Sequence, residues 1–300
     1  MSLHPHHHPL RRGWRNDYRH GMPLSEALSK DLKYFFKDAW HWMLNGGKLP
    51  VIRVFPQFPS SRTTLYKIAD ALRYRLTNHH TKTPSVLVYF NDHTYSKSPE
   101  IPDQYAQILV INRNCNDISK TRVDEVHQQI FGYNTRVDAH THQGNAVLKS
   151  NSNAMHDGHI VHCPMKDQPE DTICQIVIDN AADAEYVVDY RVPVIGKDIP
   201  LVYLKFKHFH QRFTNHVART EMTKPTEVFT EMELEKIRSF AHAMSADFCE
   251  FDVLRHKGDG RIYIIDVNKT PYGPPKGLVQ ADKAVALLAD SFRRNFLVGE

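Results

Sequence analysis

Cysteine is scarce in this sequence, and its four cysteines are not arranged in pairs. Cys115, Cys163, Cys174 and Cys249 are spread along the 300 residues, and no CxxC motif occurs. This pattern argues against a disulfide framework and against a four-thiolate zinc site. Unpaired cysteines are typical of a reducing compartment, so we expect a cytoplasmic protein.

Long apolar runs are also missing, and the charge is nearly balanced. No stretch of 18 apolar residues occurs, so we expect no transmembrane helix and no membrane partner. The net charge of +4 is too weak to predict a nucleic-acid partner, which needs a concentrated basic surface. The His- and Arg-rich residues 1–20 lack the apolar segment of a secretory signal. We predict that they form a solvated tail outside the fold.

The common glycine-rich nucleotide motifs are absent as well. The sequence has no GxxxxGK[ST] for a P-loop, no GxGxxG for a Rossmann site and no GxSxG nucleophile elbow. What is present is ordinary globular composition, with 41% hydrophobic and 24% charged residues. A chain of this length predicts about two domains with sizeable cores.

Hydrophobic periodicity predicts the organisation of residues 21–112. Apolar residues recur at helical spacing over 25–44 and over 64–77, which predicts two helices. Two short runs rich in β-formers, 86–90 and 108–111, predict strands. Helices followed by buried-type strands indicate a small α/β domain. The periodic residues of the first helix are Leu28, Leu32, Phe35, Phe36, Ala39 and Met43.

Strands predominate after residue 113, which makes the whole chain α+β. A helix is predicted over 119–131 and is ended by Gly132. Thr230 and Glu233 form a capping box that opens a helix to about residue 244, and another helix closes the chain near 280–297. Short strands are predicted at 146–149, 159–162, 173–178, 186–195, 201–207, 248–254 and 261–267.

The segment 247–275, DFCEFDVLRHKGDGRIYIIDVNKTPYGPP, carries the most informative pattern. A three-residue turn at 258–260 predicts a hairpin in which Asp252 lies opposite Asp266. Asn268 lies two residues after Asp266 and therefore projects from the same face. Two carboxylates and an amide oxygen suit Mg²⁺, which also offsets the repulsion between the two acids. The alternative is a solvated hairpin face with alternating polar residues.

These residues resemble the metal-binding strands of the ATP-grasp enzymes, a family that includes glutathione synthetase, D-alanine–D-alanine ligase and the ribosomal-protein glutamate ligases. In that family, an acid, a short turn and an acid-x-Asn motif hold the magnesium ions that bridge the ATP phosphates. Asp252, Asp266 and Asn268 match these positions, with Asp266 where most members have Glu. The resemblance implies two α+β subdomains, 113–180 and 181–300, that grip the nucleotide after an N-terminal α/β domain at 21–112.

The resemblance extends to the nucleotide-binding residues. Lys120 at a helix start and Lys149 at a strand end match the two lysines that reach the nucleotide in the family. The loop after Lys149 resembles the one that covers the phosphates, although Gly158 is its only glycine. The strand ICQIVIDN resembles the one that clamps adenine. The nucleotide residues so implied are Lys120, Lys149, Ser150, Asn153, His156, Asp157, Gly158, Gln175, Ile176, Ile178, Asp179 and, as a further candidate, Lys205.

Two more stretches resemble the ribosomal-protein glutamate ligases in particular. DYRVPVI matches their Asp-x-Arg strand and points to Arg191. HQRFTN matches their Arg-x-x-x-Asn stretch and points to Arg212 and Asn215. The resemblance implies a catalytic role for these residues, in which they steady the transferring phosphoryl group or the acceptor.

The activity implied by the resemblance is that of an ATP- and Mg²⁺-dependent ligase. A carboxylate of a small-molecule or peptide-like substrate attacks the γ-phosphate, and an amine or similar nucleophile then opens the acylphosphate. Two alternatives stay open. One is a kinase of the same fold that phosphorylates a hydroxyl, and the other is a non-catalytic nucleotide-binding protein, which the glycine-poor loop suggests. The sequence specifies neither the acceptor nor the oligomeric state.

Overall fold

This computed structural model describes residues 11–18, 21–80, 83–155 and 157–297. Its helices are α1 (Leu24–Leu44), α2 (Thr64–Ala71), α3 (Lys120–Phe131), α4 (Glu231–Ala243) and α5 (Ala281–Phe296). Its strands are β1 (Arg11–Arg12), β2 (Asp17–Tyr18), β3 (Val51–Pro56), β4 (Arg75–Thr77), β5 (Val86–Phe90), β6 (Val110–Ile111), β7 (Gly144–Ser150), β8 (His159–Cys163), β9 (Thr172–Ile176), β10 (Tyr186–Ile195), β11 (Val202–His208), β12 (Arg219–Thr223), β13 (Phe248–Arg255) and β14 (Ile262–Asn268).

A parallel sheet with the strand order β4-β3-β5-β6 organises the N-terminal region. Strand β5 is buried at every position, as expected for a parallel strand that is covered on both faces. Leu65 and Ile68 of α2 pack in its core, and so do Leu288 and Phe292 of α5. The predicted α/β class of this region is confirmed. Because α5 returns from the end of the chain to pack here, the domain boundary at residue 112 stays a prediction.

A small antiparallel sheet, β8-β7-β9, follows the N-terminal region and has a separate core. That core is built from Ala146, Leu148, Cys163 and Cys174. Helix α3 precedes this sheet but packs on the larger sheet that comes next, through residues such as Val126. All four cysteines of the chain are buried and free.

The largest sheet is antiparallel, with the strand order β12-β11-β10-β13-β14. On one of its faces, Val192, Phe251 and Val267 pack with α3 and α4 in the main core. Because side chains alternate along a strand, the neighbouring residues point to the opposite face. There the sheet carries Arg191 and Asp252 side by side. The polar face of this sheet is where the candidate site lies.

Three predicted helices have the ends that the sequence indicates. Helix α3 ends at Gly132, whose φ of 84° is the left-handed conformation that glycine adopts without strain. Helix α4 begins with the predicted capping box, in which Thr230 and Glu233 bond each other's backbone N–H groups. The C-terminal helix is also found, as α5.

The helix predicted over 64–77 is shorter than expected. It ends at Ala71, and Arg73 then takes a φ of 59°, which turns the chain. Residues 75–77 instead form β4, which pairs in parallel with β3, a strand that the sequence did not predict. Leu76 continues the helical spacing of apolar residues, but pairing with a neighbouring strand overrides this local signal. Strand β12 was not predicted either.

Helix α1 is present as predicted, but its apolar residues face solvent. Leu28, Leu32 and Phe36 are exposed, whereas Asp31 and Asp38 are buried. This is the reverse of the usual arrangement, in which the apolar stripe of a surface helix faces the core. The reason lies in the segment that packs against the helix.

The predicted solvated tail is wrong for residues 13–18. The carboxylate of Asp31 accepts hydrogen bonds from the backbone N–H groups of Trp14 and Arg15 and from the Tyr18 hydroxyl. The guanidinium of Arg15 pairs with Asp38. These contacts satisfy the buried acids of α1 and fix the segment to the helix. Residues 1–10 lie outside the described part of the chain.

None of the described helices has the length and the apolar composition needed to cross a membrane.

Candidate functional site

The two acids predicted to hold metal do lie opposite each other. Asp252 of β13 pairs with Asp266 of β14, on the polar face of the five-stranded sheet. Near the turn, the register of the hairpin differs by one residue from the predicted one. Counting outward from the turn puts Arg255 opposite Tyr263, but in the structure Arg255 pairs with Ile262. An irregularity between Asp252 and Val253 then shifts the register by one and restores the predicted pair.

Asp252 is held by basic groups on the neighbouring strands. The Nε and one terminal nitrogen of Arg191 donate to its two oxygens at 2.9 and 3.0 Å, in a bidentate arrangement. The Nζ of Lys205 lies 3.8 Å from the carboxylate. Although burial alone would raise it, these positive charges hold the pKa of Asp252 well below its usual range. Asp252 is therefore ionised at neutral pH.

Asp266 is in a very different state. Its Oδ1 atom is buried and has no hydrogen-bond partner among the described residues. The Nζ of Lys120 is 4.0 Å from this atom. Burial raises the pKa of Asp266 despite that positive charge, and the Asp252 carboxylate adds to the rise. A buried acceptor without a partner is costly, so a ligand with positive charge would stabilise this position.

The two predicted nucleotide lysines converge on the same place from other elements. Lys120 is the first residue of α3, and its Nζ donates to the carbonyl of Ser152 at 2.7 Å. Lys149 lies in β7, and its Nζ is 3.4 Å from the carbonyl of Ile265, next to Asp266. Burial and the charge of Lys120 lower the pKa of Lys149 to about 8. Two lysines crowded together in this way would be relieved by an anion.

A third acid that the sequence reading missed belongs to this face. Glu250 lies two residues before Asp252, pairs in register with Asn268 and is 1% exposed. Its Oε2 atom receives no hydrogen bond from the described residues, although Arg191 is 3.6 Å away. Burial raises the pKa of Glu250 in spite of Arg191. The two-residue spacing from Asp252 was the signal that could have identified it.

The residues on this face fit a hard divalent cation. Asp266 offers an unpartnered oxygen, and Asp252 keeps free lone pairs because a bidentate arginine uses only part of the capacity of a carboxylate. The amide oxygen of Asn268 accepts the backbone N–H of Thr270, and it too can accept a second partner. Oxygen ligands of this kind suit Mg²⁺. The described residues contain no group of three or more His, Cys, Asp and Glu side chains that could hold a metal ion.

The predicted phosphate-covering loop lies beside Lys149. The backbone N–H of Ser150 donates to Asp157, and the N–H of Asn153 donates to Thr94 of the N-terminal region. A Cβ at Gly158 would make only ordinary contacts, the nearest at 3.7 Å, so the fold does not require glycine there. His156 lies outside the described residues.

The predicted adenine strand, β9, uses its polar groups within the protein. The side chain of Gln175 donates to Thr135 at 2.6 Å, and the N–H of Ile176 donates to the carbonyl of the same residue. Ile178 is buried in a small cluster that includes Tyr263. The carbonyl of Asp179 accepts the N–H of Lys257.

The two remaining predicted residues, Arg212 and Asn215, lie within the described part of the chain but form no hydrogen bond or ion pair with the acids of the site, Asp252, Asp266 and Glu250. The guanidinium of Arg212 donates to the carbonyl of Ile178 at 2.6 Å and to the side chain of Asn180 at 2.9 Å. Burial lowers its pKa. Asn215 is exposed in the turn that follows. Arg212 therefore anchors the end of the predicted adenine segment.

Comparison with solved structures identifies the fold of the chain. No family model and no curated protein matches the sequence. Among solved structures, the ATP-grasp ligase PsnB, complexed with a minimal precursor, is 11% identical, with 81% of this chain and 99% of that chain covered at a TM-score of 0.50. The D-alanine–D-alanine ligase from Bacillus anthracis complexed with ATP is 14% identical. The match covers 83% of this chain and 97% of that chain, with a TM-score of 0.49. A RimK domain ATP-grasp protein from Sphaerobacter thermophilus is 10% identical. The match covers 82% of this chain and 99% of that chain, with a TM-score of 0.48.

The chain therefore has the ATP-grasp fold, in a divergent form. The fold implied by the hairpin acids and the two lysines is confirmed, although the sequence identity to these structures is very low.

Proposed function

We propose that the protein is an ATP- and Mg²⁺-dependent ligase that activates a carboxylate as an acylphosphate and joins it to an amine or similar nucleophile. The observation that carries this proposal is the convergence of Lys120, Lys149 and Arg191 on Asp252 and Asp266, within an ATP-grasp fold. Positive groups for a polyphosphate and oxygen ligands for its cation lie together there. The similar structure of PsnB is that of an ATP-grasp ligase in complex with its precursor, which supports a peptide-like carboxylate substrate for this protein.

The lysines and the acids have complementary roles in this proposal. Lys120 and Lys149 bind the nucleotide phosphates, which offset the mutual repulsion of the two ammonium groups. Asp252, Asp266 and Asn268 would hold Mg²⁺, which would supply neutralisation of the phosphate charge during transfer. Lys205 lies beside Asp252 and adds to the positive charge around the nucleotide.

The reaction has two steps in which the protein mainly positions the reactants. A carboxylate oxygen of the substrate bonds to the γ-phosphorus as the bond to ADP breaks. The nitrogen of the acceptor then bonds to the acyl carbon, phosphate leaves, and the nitrogen loses a proton. Arg191, held in place by Asp252, offers a fixed positive charge where negative charge develops.

The other predicted residues are assigned around this centre. Ser150, Asn153, Asp157 and Gly158, together with His156, form the segment proposed to cover the phosphates. Backbone and side chains at Gln175, Ile176, Ile178 and Asp179 are proposed to border the adenine and ribose. We assign Arg212 as a positioning residue, because it holds the carbonyl of Ile178, and we keep Asn215 as an acceptor-side candidate.

The test is turnover of ATP with a panel of amino acids and of peptides that contain aspartate or glutamate, each with an amine partner. We expect free phosphate and ADP only with a suitable carboxylate, and a hydroxamate when hydroxylamine replaces the amine. Asp266→Ala and Asn268→Ala should each reduce turnover at least 100-fold, whereas Asp259→Ala, at the exposed turn of the same hairpin, should retain it.

Three outcomes would contradict the proposal. Full activity of both site variants would remove the proposed metal site. Transfer of the phosphate to a hydroxyl without release would identify a kinase. Tight binding of ATP without turnover across the panel would identify a non-catalytic nucleotide-binding protein.

A further inference from the structure

The exposed apolar face of α1 has no counterpart elsewhere in the described part of the chain. We call it the α1 stripe, and it consists of Leu24, Leu28, Leu32, Phe35, Phe36, Ala39, Trp42 and Met43. Its large side chains are each 42% to 64% exposed. At 100° per residue, these positions fall within an arc of about 120° that contains no charged residue. Trp14, which is 57% exposed, extends the surface because its ring packs on Phe35.

The orientation of α1 is fixed by satisfied polar contacts on its other face. Asp31 accepts three hydrogen bonds from residues 14–18, and Asp38 pairs with Arg15. His41 lies 3.2 Å from Asp70 of α2. Turning the stripe inward would break these contacts and leave two acids unpaired. These polar contacts therefore keep the apolar face of α1 exposed to solvent.

The size of this surface matches what one partner of a stable dimer buries. An aromatic side chain hides roughly 150–250 Å² when it is fully buried, and Leu or Met hides less, so the seven half-exposed large side chains of the stripe together with Trp14 offer on the order of 700 Å². A stable interface of standard size buries about 800 Å² on each partner. Single exposed apolar residues are normal on a surface, but a contiguous patch of this size marks an interaction site. Aromatic residues and Met are also the types that interface cores favour.

The stripe is complementary to a second copy of itself. Leu28, Phe35 and Trp42 are seven residues apart, and Leu32 and Ala39 lie between them, which is the spacing of a helix-packing seam. If two copies of α1 lie antiparallel about an axis at the level between residues 33 and 34, the two helices overlap along nearly their whole length. In that register Leu28 meets Ala39, Leu32 meets Phe35, and Trp42 meets Ser25. In two of these three pairs a large side chain lies opposite a small one, and in the third Leu32 packs on Phe35.

We propose that the α1 stripe is the interface of a homodimer, in which the two copies of α1 pack antiparallel about a two-fold axis. A two-fold interface uses the same patch on both subunits, and this patch satisfies that condition by its own sequence. A lipid surface is less favoured, because a helix that binds a membrane surface carries a concentrated basic face. In α1 three lysines are balanced by three acids, and Lys30 and Lys37 are paired with Glu26 and Asp70.

The first test is the mass of the full-length protein by sedimentation equilibrium at micromolar concentration. We expect a dimer for the unaltered protein. Leu32→Glu should weaken dimerisation at least 100-fold, because it places a charge in the centre of the seam on each subunit. Met232→Glu is the matched control, since Met232 is an exposed apolar residue on α4 and should leave the dimer intact. Unchanged far-ultraviolet circular dichroism will show that both variants fold.

The second test examines the direction of packing through engineered cysteines, since the native ones are buried. Leu28→Cys mixed with Ala39→Cys should form a disulfide-linked dimer under mild oxidation. Either variant alone should not, because the same residue in two antiparallel copies would be about 16 Å apart along the axis, farther than a disulfide spans. Efficient cross-linking of Leu28→Cys alone would overturn the antiparallel arrangement.

Two results would overturn the dimer itself. One is a monomer that binds phosphatidylglycerol vesicles through the stripe, as shown by loss of binding in Leu32→Glu. The other is a monomer that gains binding of a hydrophobic dye only when residues 1–10 are deleted, which would show that the stripe is covered by the chain's own N-terminus.

Discussion

At the scale of single residues, the site is a balance between buried charges of both signs. Arg191 contacts Asp252 through two hydrogen bonds and lies 3.6 Å from Glu250. Asp252 is ionised because of it, whereas Asp266 and Glu250 have raised pKa values because burial dominates their surroundings. Asp252 is thus paired with Arg191, whereas the Oδ1 atom of Asp266 has no hydrogen-bond partner among the described residues, which is the basis of the proposed cation site.

Replacement of Arg191 should be strongly destabilising. Arg191→Met leaves the buried Glu250 and the largely buried Asp252 without their arginine, and breaking a buried ion pair in this way costs about 3–5 kcal/mol of the free energy of unfolding. Arg261→Met, which removes an exposed pair with Asp259, should cost less than about 1 kcal/mol. Urea denaturation of the two variants measures both values. Equal losses would show that the buried pair contributes nothing special.

At the scale of elements, α3 connects the two sheets that form the site. Its first residue, Lys120, reaches Asp266, and its buried face packs on the five-stranded sheet. His127, in the middle of the helix, stacks on Phe131 and lies close to Tyr133 and Tyr263. Its Nδ1 atom accepts the N–H of Ile264 in β14. Burial, with a contribution from Lys236, lowers the pKa of His127 to about 3.

This buried histidine should make stability depend on pH. In the folded state His127 stays neutral, whereas in the unfolded state it binds a proton below its ordinary pKa of 6.5. Stability is therefore unaffected above pH 6.5 and falls as the pH decreases from 6.5 towards 3, by about 1.4 kcal/mol per pH unit. His127→Phe should lose stability at every pH but show a smaller slope over this range. Identical slopes in denaturation at pH 4.5, 5.5 and 7.5 would refute the assignment.

At the scale of the whole molecule, the N-terminal region is joined to the five-stranded sheet by buried polar contacts. The side chain of Asn112, at the end of β6, accepts the N–H of Phe248 and donates to its carbonyl, at 2.9 and 2.8 Å. Its own N–H donates to Asp247. Lys269, which is 1% exposed, donates to Ser96 and to the carbonyl of Cys115. These contacts hold the site face at a fixed position relative to the N-terminal sheet.

Asn112 should therefore be among the most sensitive positions outside the site. Its φ of 60° favours Asn or Gly, so Asn112→Ala both strains the backbone and leaves Phe248 without two hydrogen bonds. We expect a loss of about 3 kcal/mol in the free energy of unfolding. Asn112→Gly also removes the side-chain hydrogen bonds to Phe248, but glycine adopts the positive φ without strain. We therefore expect a smaller loss in the free energy of unfolding than for Asn112→Ala. Thermal denaturation of both variants separates the two contributions, and a loss in neither would contradict the proposed link.

Local signals predicted the elements that have strong local causes. The capping box at Thr230 and the glycine that ends α3 follow from interactions within a few residues. The hairpin follows from its turn, but the Asp252–Asp266 pair also depends on the irregularity that shifts the register by one residue. Strand β4 was missed because its pairing with the distant β3 overrides the helical spacing of its apolar residues. Strand β3 does carry a local signal, the run VIRVF of β-forming residues. Glu250 was missed because a buried acid on a strand of apolar residues has no local signature other than its spacing from Asp252.

The ATP-grasp fold class could be predicted from the order of Lys120, Lys149, Asp252, Asp266 and Asn268, because the order of residues along the chain is a one-dimensional property. The packing of distant strands places Arg191 on Asp252 and leaves an oxygen of Asp266 without a partner among the described residues. The tertiary structure also turns the acids of α1 inward, because residues 14–18 pack on the helix and form hydrogen bonds with Asp31 and Asp38. Both outcomes depend on partners that are distant along the chain, and a periodic pattern carries no information about such partners.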